Sequence, residues 1–221
     1  MTALLLALLA LQTPLDEGTL VVREDTVEIA REALRLARAR VGDGSTGWKL
    51  ASTVRYDRAR PVVVLAPILE IGADSLPANL DFSVAHPREP LRILGQLARG
   101  RFTVRLLGPR TERAREFPAT PPVLVLDDSV FALYLPAAWH ARPQPVAVTA
   151  IFPRHGRREA LALQDLGVQP TTVNRDPASL RHVTVNGGAN RLVHLWLGPD
   201  GRLLKVEIPS RQLTAERAPG S

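Results

Sequence analysis

After Gly18 the chain alternates apolar and polar residues between clusters of turn formers, the period of half-buried antiparallel strands. Between Arg101 and Leu106, Phe102, Val104 and Leu106 take one parity while Arg101, Thr103 and Arg105 take the other. Leu204, Val206 and Ile208 alternate likewise with Lys205 and Glu207, and Leu50, Val54 and Tyr56 with Lys49, Thr53 and Arg55. Gly42-Asp43-Gly44, Arg154-His155-Gly156, Asn186-Gly187-Gly188 and Gly198-Pro199-Asp200-Gly201 accept positive φ or preset a turn, so each can close a hairpin. The pattern predicts strands at 18–24, 27–40, 47–57, 61–71, 79–86, 91–97, 100–107, 111–117, 145–152, 157–165, 179–186, 191–198 and 202–208, a mainly β chain running as a long antiparallel meander.

Two segments resist this reading. Thr26–Val41 also places apolar residues at 29, 30, 33, 34, 37 and 41, a helical face made of good helix formers. The glycine-rich turn and the strand behind it favour the first arm of a long hairpin, so 27–40 is read as strand, with helix the alternative. In Leu126–Leu135, Asp127 or Asp128 offers an N-cap for residues that are apolar nearly all round, and a helix apolar on every side must be enclosed. Pro136 ends it or starts a second turn through Trp139, and Pro121-Pro122 and Pro143-x-Pro145 set the segment apart from the strands. One short buried helix near 127–139 follows. No repeat or linker divides the chain, so the expected organisation is a signal segment at 1–15, one domain at 16–217 and a disordered tail at 218–221.

With 221 residues, 45% of them hydrophobic and 23% charged, the chain has the composition of a water-soluble globular protein long enough to bury a core without disulfides or metals. It has no cysteine, which excludes disulfides, thiolate nucleophiles, Cys-ligated zinc and a lipid-modified N-terminal cysteine. Ala3–Leu11 consists only of Ala and Leu; it is shorter than the about 20 residues of a bilayer span but suits the apolar part of an export signal, predicting a periplasmic or secreted protein. The net charge is +6, carried almost wholly by arginine because Lys49 and Lys205 are the only lysines. Such a surface favours anionic partners, although genomic base composition accounts for the arginine bias equally well.

The order of export signal, antiparallel meander, an Asp-x-Ser-x-x-Ala-Leu-Tyr helix at Asp127–Tyr134 and a closing apolar hairpin at 192–208 resembles uncharacterised secreted domains of Gram-negative bacteria. Those domains look related in fold to the outer-membrane lipoprotein carriers (LolA/LolB-like). The similarity covers most of 18–217, and its distinctive parts are the helix segment and the terminal VHLWLGPDGRLLKVEIP. It implies a half-open β-barrel, a curved sheet with a helix lying in its concave face, and brings no catalytic residue. The Arg- and Pro-rich stretch 109–122 departs from the pattern, and no ligand-gripping residue of the carriers matches a position here.

Several residue sets are candidates for chemistry. Gly42–Gly47 fits G-x-G-x-x-G, but an alternating strand follows instead of the helix that a dinucleotide site requires, so it is read as a hairpin loop. Asp127 and Asp128 form an adjacent acid pair able to divide acid and base work, against the simpler role of capping a helix. None of the five histidines shows H-E-x-x-H spacing; His182 and His194 lie directly opposite if the Gly187–Ala189 loop has three residues, and on opposite faces if it has two or four. No motif asks for a cofactor or a metal. Arg99, Arg101 and Arg105, with Arg113 and Arg115 beyond the Gly108-Pro109 turn, form a basic stripe for lipid or polysaccharide phosphates, or else a solvated hairpin face. Few aromatics accompany it, so nucleic acid is not expected.

The last candidate is a surface. Phe131, Leu133, Tyr134, Leu135 and Trp139, facing Phe102, Val104 and Trp196, can line an apolar cavity beneath the helix or simply fill a core. The expectation is a monomeric, non-enzymatic envelope protein holding an acyl chain or other apolar small molecule there. The alternatives are an assembly factor with a filled core and an envelope protein as partner, and a hydrolase built on Asp127/Asp128 or His182/His194.

Overall fold

Among the described residues the alternation resolves into fifteen strands of one sheet. In a computed structural model describing residues 15–42, 44–188 and 191–221, the first half of the chain gives β1 (Asp16–Glu24), β2 (Val27–Arg40), β3 (Thr46–Tyr56), β4 (Val63–Ile71), β5 (Pro77–Ala85), β6 (Leu91–Ala98), β7 (Arg101–Leu107) and β8 (Glu112–Pro118). The second gives β9 (Val123–Val125), β10 (Val146–Phe152), β11 (Arg157–Val173), β12 (Asp176–Asn186), β13 (Leu192–Leu197), β14 (Leu203–Ile208) and β15 (Leu213–Arg217). The order is β8-β7-β6-β5-β4-β3-β2-β1-β15-β14-β13-β12-β11-β10-β9. Two meanders therefore spread from a junction where β1 pairs with β15, and the free edges are β8 and β9. Only β9 runs parallel to its neighbour, β10.

Nearly all of the expected signal segment, residues 1–14, lies outside the described residues. At the other end, Ala218 donates its N–H to Thr19 O at 2.7 Å, and Ser221 Oγ bonds Ala218 O at 2.8 Å. Residues 27–40 are strand, hydrogen-bonded to β1 on one side and β3 on the other. Period two decides it: Ala30, Glu32, Leu34 and Leu36 are all buried and the residues between them are not. The G-x-G-x-x-G stretch connects β2 to β3, as a hairpin connection should; Asp43 lies outside the described residues. Two strands were not anticipated, the three-residue β9 and the terminal β15, and β11 continues eight residues past its expected end at 165.

The concave face is occupied by the stretch from β9 to residue 145. The expected helix is two separate turns, a 3-10 turn at Ala132–Tyr134 and the α-helix α1 at Ala137–His140, and neither starts at Asp127 or Asp128. Asp127 instead makes a tight turn, accepting the Ser129 N–H on Oδ1 at 2.9 Å. This plug touches β3, β5 and β11, strands far apart in the sheet, so it runs through the middle of the curve. Within the wall, Gly95 makes room for the Phe102 ring of the neighbouring strand, since a Cβ there would lie 2.7 Å from it. The free edges are not hydrogen-bonded to each other; side chains bridge the gap, Arg115 donating to Gly156 O at 2.8 Å and Arg158 to Pro118 O at 3.3 Å. The result is a half-open barrel around a solid plug.

The extended part of β11 and β12 forms a second layer on the outside. A bulge between Asp165 and Val168 turns the hairpin out of the sheet, and Asn174 and Arg175 close its tip at positive φ. The arm folds over the convex side of β14 and β15: Lys205 Nζ donates to Thr172 O at 3.0 Å, and Asn174 Nδ2 to Arg217 O at 2.7 Å.

Candidate functional site

The plug is held by a carboxylate that sequence reasoning missed. Glu32 occupies an inward position of β2 and is fully buried without a cation. Its Oε1 accepts the Ser52 hydroxyl at 2.6 Å and the Ala132 N–H at 2.9 Å, and its Oε2 accepts the Phe131 N–H at 2.8 Å. The cap assigned to Asp127 or Asp128 is thus supplied from across the barrel, satisfying N–H groups that the 3-10 turn leaves open. Burial pushes the Glu32 carboxyl up to about 7; the three hydrogen bonds pull the other way, and the charge on Asp127 adds to the rise.

Below Glu32 the two aspartates lie in an arginine knot. Arg154 grips the buried Asp127 with two hydrogen bonds of 2.8 Å. Arg191 and Arg157 both pair with Asp128, and their guanidinium carbons lie 4.6 Å from the Phe152 ring centroid. Arg211 caps the Asp128 carbonyl at 2.7 Å, and Tyr56 donates to Ser129 O at 2.8 Å. Burial raises the Asp128 carboxyl, but the Arg191 hydrogen bond and the charges of Arg191, Arg157 and Arg211 outweigh it and hold the group below its ordinary range. Both carboxylates are thus committed to arginine pairs. Tyr134 Oη, buried beside this knot, has no hydrogen-bond partner among the described residues.

The proposed apolar lining divides. Phe131, Leu133, Tyr134, Leu135, Phe102 and Val104 are each at most 1% exposed and share one core. Trp139 is half-buried at the far end, its ring centroid 5.5 Å from that of Trp48. Trp196 does not belong to this lining: Val193, Leu195 and Leu197 take the inward parity of β13, and Trp196 lies on the convex side.

There Trp196 joins the two histidines. The register pairs His182 with Trp196 and Thr184 with His194, so the two histidines share a face diagonally, neither directly opposite, as a three-residue loop would place them, nor on opposite faces, as a two- or four-residue loop would. His182 stacks on Trp196 with centroids 3.9 Å apart; its Nε2 lies 2.8 Å from His194 Nδ1 and its Nδ1 3.0 Å from Gln169 Oε1 of the arm. Trp196 Nε1 donates to Glu207 at 3.0 Å, and Lys205 pairs with the same carboxylate at 2.8 Å. Burial lowers both imidazoles, and for His182 the neighbouring His194 adds to the drop. A cleft of about 430 Å³ adjoins them, bordered by Asp25, Glu207 and Thr214. Two tetrahedral zinc ligands at about 2.0–2.1 Å from the metal stand farther apart than the two ring nitrogens do, and no group of three metal-binding side chains occurs among the described residues. The cluster is a hydrogen-bonded clasp between arm and sheet.

The basic stripe is largely neutralised. Arg101 pairs with Glu116 at 3.3 Å and Arg105 with Glu112 at 2.6 Å on the outer face, while Arg99 sits in the β6–β7 turn at positive φ. Arg113 and Arg115 stand opposite Leu106 and Val104, on the concave side instead.

With this geometry in view, comparison with known proteins adds one observation. No family model matches the chain, and neither does any curated protein. Among solved structures, the chain is similar to a β-barrel-like protein of domain of unknown function DUF1849 from Brucella abortus, at a TM-score of 0.52 and 14% sequence identity, over 91% of this chain and 94% of that one. What the two share is the fold.

Proposed function

We propose that this protein is a non-enzymatic assembly factor of the cell envelope, periplasmic or secreted, whose partner adds a strand to the free edge of β8. The observation that carries the reading is a contrast: the middle of the concave interior is filled, with its residues at most 1% exposed, whereas β8 is exposed at six of its seven positions and no described strand pairs with its outer edge. An open edge presents unpaired N–H and C=O groups that a partner strand can satisfy. Glu112, Arg113, Arg115 and Glu116 make this edge charged, which opposes indiscriminate pairing and favours a partner with complementary charges. The envelope assignment rests on the Ala3–Leu11 run and the absence of cysteine. A lipoprotein-carrier-like ancestry is compatible with the half-barrel, but carriage beneath the helix needs room that the plug occupies. The locked Asp127 and Asp128 and the mutually bonded His182 and His194 favour a non-catalytic role over a hydrolase.

The test is photo-crosslinking in cells from position 114, with Ile68 on another strand as control. One reproducible protein partner captured at 114 and not at 68, and lost when Pro replaces Ala114 or Arg115, is the expected result, because successive strand N–H groups point to opposite sides and one of the two prolines removes an outward donor. An apolar molecule that co-purifies with native protein and is expelled by Ala132→Trp would overturn it in favour of a carrier.

A further inference from the structure

The concave face is not filled over its whole length. At the end of the barrel carrying the β5–β6 and β7–β8 turns, a hollow of about 750 Å³ lies between them, within the range of small-molecule sites. Its floor is apolar: Leu91 and Leu106 line it and pack against the core from outside. Register explains why these leucines face inward, because Val84 pairs with Leu91 and Ile93 with Leu106 in a row that continues the buried Phe82 and Val104 positions. The same rule brings Arg113, opposite Leu106, over this floor. Arg88 and Arg110 project from the two turns onto its rim.

These three guanidiniums differ from the other arginines of β6, β7 and β8. On the outer face Arg92, Arg101 and Arg105 each pair with a carboxylate. Arg115, the next inward residue of β8, is spent bridging the seam to Gly156. Arg88, Arg110 and Arg113 have no ion pair or side-chain hydrogen bond among the described residues, and Glu89 is the one carboxylate among the hollow's lining residues. Three uncommitted cations beside a greasy floor form a surface with two halves. Guanidinium groups offer paired donors to phosphate or carboxylate oxygens, and the leucines gain by covering apolar area.

We propose that this hollow binds an anionic amphiphile, a phosphate or carboxylate head held by Arg88, Arg110 and Arg113 with an alkyl chain laid over Leu91 and Leu106. The site shares Arg113 with the β8 edge but uses none of that edge's unpaired backbone groups, so the two readings fail separately. Calorimetric titration with dodecyl phosphate below its micelle threshold tests it, with inorganic phosphate, hexyl phosphate and dodecyl maltoside as comparisons. Saturable binding of dodecyl phosphate is expected, with methyl shifts at Leu91 and Leu106, and with affinity reduced about tenfold or more for hexyl phosphate and for the triple variant Arg88→Ser/Arg110→Ser/Arg113→Ser. The triple variant should melt at the wild-type temperature, since it breaks no pair. Equal affinity for inorganic phosphate would reduce the site to a simple anion patch and overturn the proposal; so would equal affinity for the maltoside, undiminished binding by the triple variant, or no binding by the wild type.

Discussion

Replacing Glu32 by Gln separates the charge of the buried cap from its shape. The carboxyl rises from 4.5 to about 7 in the folded protein, which at about 1.4 kcal/mol per unit amounts to roughly 3 kcal/mol of pH-dependent stability. Because the folded value lies above the unfolded one, the folded chain keeps this proton longer. The contribution is therefore fully present below pH 4.5 and is lost as pH rises through about 7. Gln cannot reproduce the cap, for three donors converge on the carboxylate from Ser52, Phe131 and Ala132. Its amide nitrogen must face at least one of them, a cost of about 1–3 kcal/mol. Urea unfolding of wild type and Glu32→Gln at pH 4 and pH 8 gives the difference between the two proteins, in which titrations common to both cancel. The variant should be the less stable at pH 4 and should recover by about 3 kcal/mol relative to wild type by pH 8. A difference that stays flat across this range would refute the reasoning, since it would mean that the buried carboxylate ionises as easily as an unfolded one.

Arg154→Ala strands the fully buried Asp127 and should cost about 3–5 kcal/mol at neutral pH, read from the urea midpoint. Gly95→Val drives a side chain into the Phe102 ring and should cost about 1–3 kcal/mol, with part of the loss recovered in a double variant carrying Phe102→Leu. The imidazoles of His182 and His194, lowered by burial from 6.5, should titrate by NMR with midpoints below that value. Their stabilising contribution is complete above pH 6.5 and fades as pH falls through the folded values.

The strands were legible because a half-buried strand writes its two faces directly into alternate residues, and that rule placed even 27–40, where helical spacing competes. What it does not reveal is which face is buried, or by what. Trp196 and His182 take the outward parity, yet are at most 7% exposed, because the arm beyond the Asp165/Val168 bulge covers them. Nothing in Leu192–Leu197 announces that second layer. Glu32 did leave a signal: it is the lone charge in the run Ala30, Glu32, Leu34, Leu36 of inward residues, and a buried carboxylate must find donors somewhere. Two of its three donors lie 99 and 100 residues away, beyond any local pattern. The buried polar side chains extend the point. Glu32, Ser52 and Asp127 anchor the plug; His182 and Lys205 hold the arm; Asp16 and Arg217 join β1 to β15. Each sits where segments remote in sequence meet, which is where packing alone would permit slippage and hydrogen bonds with fixed geometry do not. In this fold alternation builds the wall, and the out-of-place polar residue on an apolar parity marks what the wall is fastened to.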